Sequence, residues 1–579
     1  MEKRVADQLV EQLLQAKIKR IYAITGDSLN ELNDAVRKRP ELQWIHVRNE
    51  EAGAFAASAD AQLSGIACCA GSSGPGHVHL INGLYDAHRS SASVVAIAST
   101  CATKEFGSGY FQETNVIKLF DDCSHYNQVA NTAAQLPRMA QAAIQTAIMK
   151  KGVAVIGLPG DVAGLAAEEI DSANTNYFCK SNICPVDEEL VELSKIINQH
   201  NKICIFCGIG AADAHDEVVE LAALIKAPVG FSFRGKMGIQ YDNPFEVGMT
   251  GLLGLPSAYH SMHESDLVIL LGTDFPYTPF YPKGKTIVQI DIKPENLGRR
   301  AKLKMGLFGD IKTSVKALLP LIKKKTDSSF LDAQLHIYKK VKEHLNSYIQ
   351  DKGKTNAIHP EAVAALINNI ASEDAIFTCD TGMCNVWSAR YITANGRRNM
   401  IGSFVHGSMA NAMPHAIGAS FACPTRQVVA LCGDGGISML LGDLATINQY
   451  SLPIKIIVFN NRSLGMVKLE MEVLGLIDFQ VDMSNPEFSQ VAEAMGIMGM
   501  TITDPQKLES GLQKAFAHNG PVLVNVMTDP SALSMPPKIE LKMVEGMALS
   551  MTKMMLGGKF DDVLDTVKAN YKHLPEIFD

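Results

Sequence analysis

One stretch, residues 428–461, constrains the fold more than any other. Val428-Val429-Ala430-Leu431-Cys432 is an apolar run of strand length, residues 437–450 have helical character, and residues 454–459 form a second apolar run. The stretch therefore reads as a β-α-β unit, which implies a parallel pair of strands. Gly433-Asp434-Gly435-Gly436 closes the first strand and Asn460-Asn461 closes the second. Ligands of parallel sheets sit outside the carboxyl ends of the strands. A carboxylate and an amide oxygen brought together there suit a hard cation such as Mg²⁺, which in turn holds phosphates. Gly435 lets the backbone approach a diphosphate closely, and the start of the next helix attracts anions.

The rest of the chain repeats this alternation. At 579 residues it is too long for one core, and 47% hydrophobic against 20% charged residues marks it as globular. The net charge of −8 argues against a nucleic-acid partner. Twelve scattered cysteines, several inside apolar runs, have no metal-type spacing. With no secretory leader before Val5, they read as reduced thiols of a cytoplasmic enzyme. No apolar run approaches the ~20 residues of a spanning helix.

Taken in order, residues 5–16 read as an amphipathic helix and 20–25 as a strand ending in Gly26-Asp27-Ser28, a helix-start signal. Strands follow at 44–48, 66–70, 93–98 and 153–158, with a small-residue helix at 52–63 and a glycine-rich loop at 71–76. Residues 171–186 read as a linker. A second α/β unit has strands at 203–207, 267–271 and 286–290. Its Gly208-Ile209-Gly210 is half of a dinucleotide fingerprint and a weak signal. Arg234-Gly235-Lys236 sets a basic pair near the glycine-rich loop 248–254. The charged stretch 323–354 reads as a solvated connector, partly helical. A third α/β unit contains a strand at 375–380 and the opening motif. The fold class expected is α/β, with three doubly wound parallel-sheet domains at 1–182, 183–335 and 336–530 and a helical tail at 531–579. In that tail Phe560, Val563, Leu564, Val567 and Tyr571 recur at helical spacing, after an apolar stretch at Leu549, Met551, Met554, Met555 and Leu556.

Gly433-Asp434-Gly435 with Asn460-Asn461 resembles the cofactor motif of the thiamine diphosphate (ThDP) enzymes. Arg48-Asn49-Glu50-Glu51-Ala52-Gly53-Ala54-Phe55 resembles their catalytic glutamate segment, with Asn49 where His is usual. By this resemblance Asp434, Asn461 and the backbone carbonyl of Ser463 hold Mg²⁺. Gly407, Ser408, Met409, Gly435, Gly436, Arg462, Leu464, Gly465, Met466 and Val467 surround ThDP, and Met409 wedges the cofactor into a bent form. Glu50 is the catalytic residue. A buried carboxylate bonded to the aminopyrimidine favours its imino tautomer, which can take the proton from the thiazolium carbon.

The central unit resembles that of the flavin-carrying branch. The positions implied for FAD are Gly251-Leu252-Leu253-Gly254, Asp274-Phe275-Pro276-Tyr277-Thr278 and Ile292-Lys293-Pro294-Glu295-Asn296-Leu297. Further segments, among them 107–114, 158–162 and 406–414, are similar to the quinone-linked pyruvate oxidases of that branch. The resemblance implies oxidative decarboxylation of pyruvate to acetate and CO₂, with electrons passed through FAD to ubiquinone. It also implies a tail that docks on the inner face of the cytoplasmic membrane, peripheral membrane localisation when active, and a homo-oligomer of at least two chains, commonly four. Phe111 and Gln112 then face the substrate. The alternative is acetolactate synthase-type carboligation, which Met466-Val467-Lys468 resembles, although Glu470 stands where that branch has its specificity Trp. A non-catalytic nucleotide-binding scaffold is a third reading, against which Glu50, Asp434 and Asn461 speak.

Overall fold

The computed structural model describes residues 2–168, 182–350, 357–532, 541–556 and 566. It contains three six-stranded sheets, in which every pairing is parallel. The first has the order β2-β1-β3-β4-β6-β5, with β1 Arg20–Ala23, β2 Gln43–His46, β3 Ala67–Gly71, β4 Val94–Thr100, β5 Tyr126–Val129 and β6 Val153–Pro159. The second has the order β12-β11-β10-β7-β8-β9. Its strands are β7 Ile203–Cys207, β8 Val229–Phe231, β9 Glu246–Met249, β10 Leu267–Leu271, β11 Thr286–Asp291 and β12 Met305–Phe308. The third, β14-β13-β15-β16-β18-β17, comprises β13 Ile376–Cys379, β14 Asn399–Gly402, β15 Val428–Gly433, β16 Lys455–Asn460, β17 Met498–Ile502 and β18 Val522–Met527. The central strands β3, β4, β6, β7, β10 and β16 are buried along their whole length, as continuous apolar runs between two helical layers should be.

The first and third sheets share one hydrophobic core. Its seam is the packing of helix Glu50–Ser64 on helix Ala412–Ala422. Both are built of small residues, which lets the two backbones meet. A Cβ on Gly418 would lie 2.0 Å from the carbonyl oxygen of Ala56, so no other residue fits there. Beside the seam, His415 Nε2 lies 3.1 Å from Asp86 Oδ2, and both side chains are fully buried.

Several expectations need correction. The helix expected over 437–450 is two helices, Asp434–Met439 and Leu444–Gln449, separated by a short 3₁₀ turn at Leu441–Asp443. Asp434 thus opens a helix rather than preceding one. The stretch expected as a solvated connector contains a packed helix, Ser329–Gln350, which buries Leu331, Gln334, Tyr338 and Tyr348 against neighbouring helices. The half fingerprint at Gly208 and Gly210 has a packing explanation. Cβ atoms there would strike Gly272 O at 2.3 Å and Gly272 Cα at 2.8 Å. The Arg234/Lys236 pair is engaged within the protein. Arg234 donates to Ser90 O of the first unit, and Lys236 is buried against the third. Most of the expected linker and the tail residues from Phe560 to Tyr571 lie outside the described residues.

Candidate active site

The order of the third sheet reverses between β13 and β15, and a cavity of about 270 Å³ opens at the carboxyl ends of these strands. Gly433, Asp434, Gly435 and Gly436 line it from the end of β15. Asn461 and Ser463 line it from beyond β16, and Gly407 and Met409 from a third loop. Leu464, Gly465, Met466 and Val467 close one side. The two glycines are required by contact. A Cβ on Gly436 would sit 1.7 Å from Asp380 Oδ2, and one on Gly435 would press on Leu464 and Met409 at 3.0 and 3.2 Å.

Two non-glycine residues in the left-handed region shape the rim: Ala410 at φ 67° beside Met409, and Arg462 at φ 54° between Asn461 and Ser463. Each costs on the order of 1–3 kcal/mol and persists because the surroundings impose it. The strain at Arg462 turns consecutive asparagines to different tasks. Asn460 is buried and bonded to Asn525 Oδ1, while Asn461 lines the cavity and accepts from Ser463 N at 3.0 Å.

The donor set fits a hard cation carrying phosphates. Asp434 is buried, burial raises its carboxyl above the ordinary range, and Asn485 Nδ2 steadies one oxygen at 2.7 Å. The Ser463 hydroxyl is buried without a partner. Among the described residues no cluster of three or more His, Cys, Asp or Glu could hold a metal. A cation here must therefore rely on one carboxylate, amide and carbonyl oxygens, and the oxygens of its own ligand, which is how Mg²⁺ binds with phosphates.

Glu50 does not line this cavity; it belongs to a second cluster at the carboxyl ends of β1, β2 and β3. It is 4% exposed and starts its helix, with Asn49 Oδ1 capping that helix by accepting from Glu51 N at 2.9 Å. The residue before Glu50 is therefore accounted for by capping. The junction is fixed from the third unit. Asp443 Oδ1 accepts from Arg48 N at 2.9 Å, and Gln449 Oε1 accepts from Arg48 Nη2 at 2.7 Å. Glu50 Oε2 lies 3.0 Å from His79 Nδ1, and a Cβ on Gly76 would be 3.1 Å from Oε1. Gln112, at φ 60°, packs on the other side of this glycine loop, and its carbonyl accepts from Ser73 Oγ at 3.0 Å. Phe111 is 76% exposed.

Ser408 and Arg462 are not brought into the cavity. The Ser408 hydroxyl meets Asn82 Nδ2 at 2.9 Å, and Arg462 points to solvent. Sequence reading missed Thr381, Gly382, Met383 and Trp387, which line the cavity together with Glu470, the residue at the synthase branch's specificity position. It also missed His79, Asn485 and Asp380, whose carboxyl burial pushes up to about 7. None of them carries a local pattern; Asp380 at a strand end was the one visible signal.

The implied flavin segments all lie at the carboxyl ends of β9, β10 and β11. Gly251, at φ 111°, stacks its loop on Phe275, and a Cβ there would lie 2.8 Å from the ring. Asp274 is held by Arg299 and Arg300, and Asp291 Oδ1 fixes Lys293 N and Asn296 Nδ2. Tyr277 is 42% exposed; burial, and secondarily the nearby Glu470 carboxylate, raise its phenol.

Three family models match about two thirds of the chain. They are the thiamine pyrophosphate enzyme N-terminal TPP-binding domain at residues 3–119, the central domain at 190–318 and the C-terminal TPP-binding domain at 380–526. A Bacillus subtilis protein described as thiamine pyrophosphate-containing is 34% identical over 586 residues, covering 100% of both chains. The pyruvate oxidase of Lactiplantibacillus plantarum is 31% identical over 535 residues, 90% of this chain and 88% of that one. The acetolactate synthase large subunit of Porphyra purpurea is 27% identical over 545 residues, 89% and 90% of the two chains.

Proposed function

Because this chain belongs to the thiamine pyrophosphate enzyme family, we propose that it oxidatively decarboxylates pyruvate to acetate and CO₂, passing the electrons through FAD to ubiquinone. The observation that supports the flavin arm is a contact between the two candidate regions. Arg390, on a helix whose first residues line the cavity, donates to Leu253 O at 3.3 Å and to Gly254 O at 3.2 Å in the implied flavin loop.

In this reading Asp434, Asn461 and the Ser463 carbonyl would hold Mg²⁺ and the diphosphate, and Met409, beside the left-handed Ala410, would pack against the cofactor. Bound ThDP supplies the carbanion-stabilising ring on which a 2-oxo acid loses CO₂. Glu50 would supply the carboxyl group that hydrogen-bonds the aminopyrimidine and assists its proton transfer. Since Glu50 lies outside the cavity of its own chain, the site is completed by Glu50, Phe111 and Gln112 of a second copy, in a dimer or a tetramer.

The tail helix Leu541–Leu556 packs on the helix Gly465–Val473 of the cavity wall. Ser550 Oγ and Lys553 Nζ donate to Leu476 O and Gly475 O, each at 2.7 Å, and Met547 and Met554 are buried. Leu549 and Met555 remain exposed. No described helix is long and apolar enough to cross a membrane, and the proposed attachment is peripheral, at the inner face of the cytoplasmic membrane. A chain ending before Ser531 should lose stimulation of turnover by lipid vesicles; undiminished stimulation contradicts the attachment.

The test of the reaction is anaerobic flavin absorbance after pyruvate is added to protein holding ThDP and Mg²⁺. Bleaching of the oxidised band supports the oxidase. A stable band with CO₂ release and acetolactate formation supports the carboligase, the reading that Met466-Val467-Lys468 favours. No flavin band leaves a plain decarboxylase.

A further inference from the structure

The helix Met383–Tyr391 touches both candidate cofactor regions. Its first residues, with Thr381 and Gly382 before them, line the cavity, as does Trp387 in its second turn. Nine residues rise about 13 Å. At the far end Arg390 leaves its own unit and donates to two carbonyls of the glycine loop after β9. Its Nε lies 3.3 Å from Leu253 O and its Nη2 3.2 Å from Gly254 O. The same helix end is clamped from the central unit, where Lys236 Nζ donates to Ala389 O and to Ile392 O, each at 2.5 Å.

Lys236 is 2% exposed. A buried ammonium on the last carbonyls of a helix is favoured by the helix dipole, which is negative at that end. The helix itself has little freedom to shift. Cys384, Val386, Trp387, Ser388, Ala389 and Tyr391 are buried, and the Tyr391 hydroxyl donates to Leu345 O.

A side chain at a helix end ordinarily satisfies the carbonyls of its own last turn. Arg390 instead holds another unit's backbone, and it does so with two donors on successive carbonyls. That geometry suits the planar guanidinium fork, whose donors are held at a fixed spacing.

We propose that the helix Met383–Tyr391 is a rigid spacer that fixes the glycine loop 251–254 relative to the ThDP cavity, with Arg390 the positioning residue that shapes this loop for the flavin. The inference rests on the reading of that loop as a flavin site. It assigns Arg390 no contact with substrate or reacting atoms.

The test uses the full-length protein and its Arg390→Gln and Arg390→Lys variants. FAD affinity is measured by titration of flavin-stripped protein, and ThDP–Mg²⁺ affinity by quenching of tryptophan fluorescence. The chain has two tryptophans, and Trp387 lines the cavity. Arg390→Gln should weaken FAD at least about tenfold, with ThDP affinity within twofold and an unchanged circular dichroism spectrum. Arg390→Lys should recover part of the loss. FAD affinity equal to wild type in both variants overturns the spacer while leaving the flavin reading intact. A parallel fall in FAD and ThDP affinity with loss of secondary structure also overturns it, because Arg390 would then merely support the fold. A wild-type protein that takes up no FAD overturns the flavin reading and this inference with it.

Discussion

The two strand-end clusters of the first and third sheets are built on the same plan and differ in completeness. At β13, β15 and β16 the loops enclose a cavity, with glycines where a ligand or carboxylate must approach and a buried aspartate at its edge. At β1, β2 and β3 the corresponding loops bury one carboxylate, Glu50, against His79 and Gly76 and enclose no cavity shared with the other half. On the proposed reading the difference is a division of labour. The third unit would be a preformed cradle for the cation and diphosphate, and the first would present one proton-handling carboxylate on a helix start held by Asp443 and Gln449. A cradle tolerates little change in shape, whereas a proton-handling group tolerates little change in chemistry.

The sharpest way to break the comparison is at the cradle. Asp434→Ala removes its one carboxylate, and ThDP–Mg²⁺ affinity should fall by about 100-fold or more, read by fluorescence titration. Retained affinity would mean that the cation sits elsewhere. Glu50→Gln keeps the shape and removes the titrating oxygen. Turnover should drop on the order of 10²–10⁴-fold while ThDP still binds; an active variant would end the assignment of Glu50.

Next comes the seam that carries one half on the other. Gly418→Ala forces a methyl to within 2.0 Å of the Ala56 carbonyl and should cost about 3 kcal/mol or more of stability, seen as a lower urea midpoint. Gly436→Ala, aimed at Asp380 rather than at backbone, should cost less stability but also weaken ThDP.

The smallest effect is pH dependence. Burial pushes the carboxyls of Asp380 and Glu361 up to about 7 and that of Asp443 to about 6. The folded chain then keeps protons that the unfolded chain releases near pH 4, so stability should fall as pH rises from about 4 to about 7 and level off above. Urea midpoints at pH 5 and pH 8 measure the slope, and Asp380→Asn should flatten it. A stability that rises over this interval would contradict the burial of these groups.

Much of this was legible in the chain. Apolar runs bounded by Gly-Asp-Gly and Asn-Asn fixed the parallel strands and put Asp434 and Asn461 at one edge, because both the period of a strand and the chemistry of a strand end are local. The break of one expected helix at Leu440 was not legible, since the residues on both sides favour helix and tertiary packing decides. Nor were His79, Trp387 and Arg390, whose partners lie on distant segments of the sequence. The partners of the basic pair Arg234 and Lys236 were hidden for the same reason. A sequence displays charge, but only the fold shows that Lys236 is spent on the carbonyls of Ala389 and Ile392.

The central claim is that the two halves complete each other between chains. Glu50→Gln and Asp434→Ala chains, carrying different tags, are co-expressed and the mixed oligomer is purified. If each site takes Glu50 from one chain and Asp434 from the other, a mixed dimer keeps one intact site of two and should show about half of wild-type pyruvate turnover per cofactor site. Mixed dimers as inactive as either parent would place both residues of each site on one chain and contradict the account.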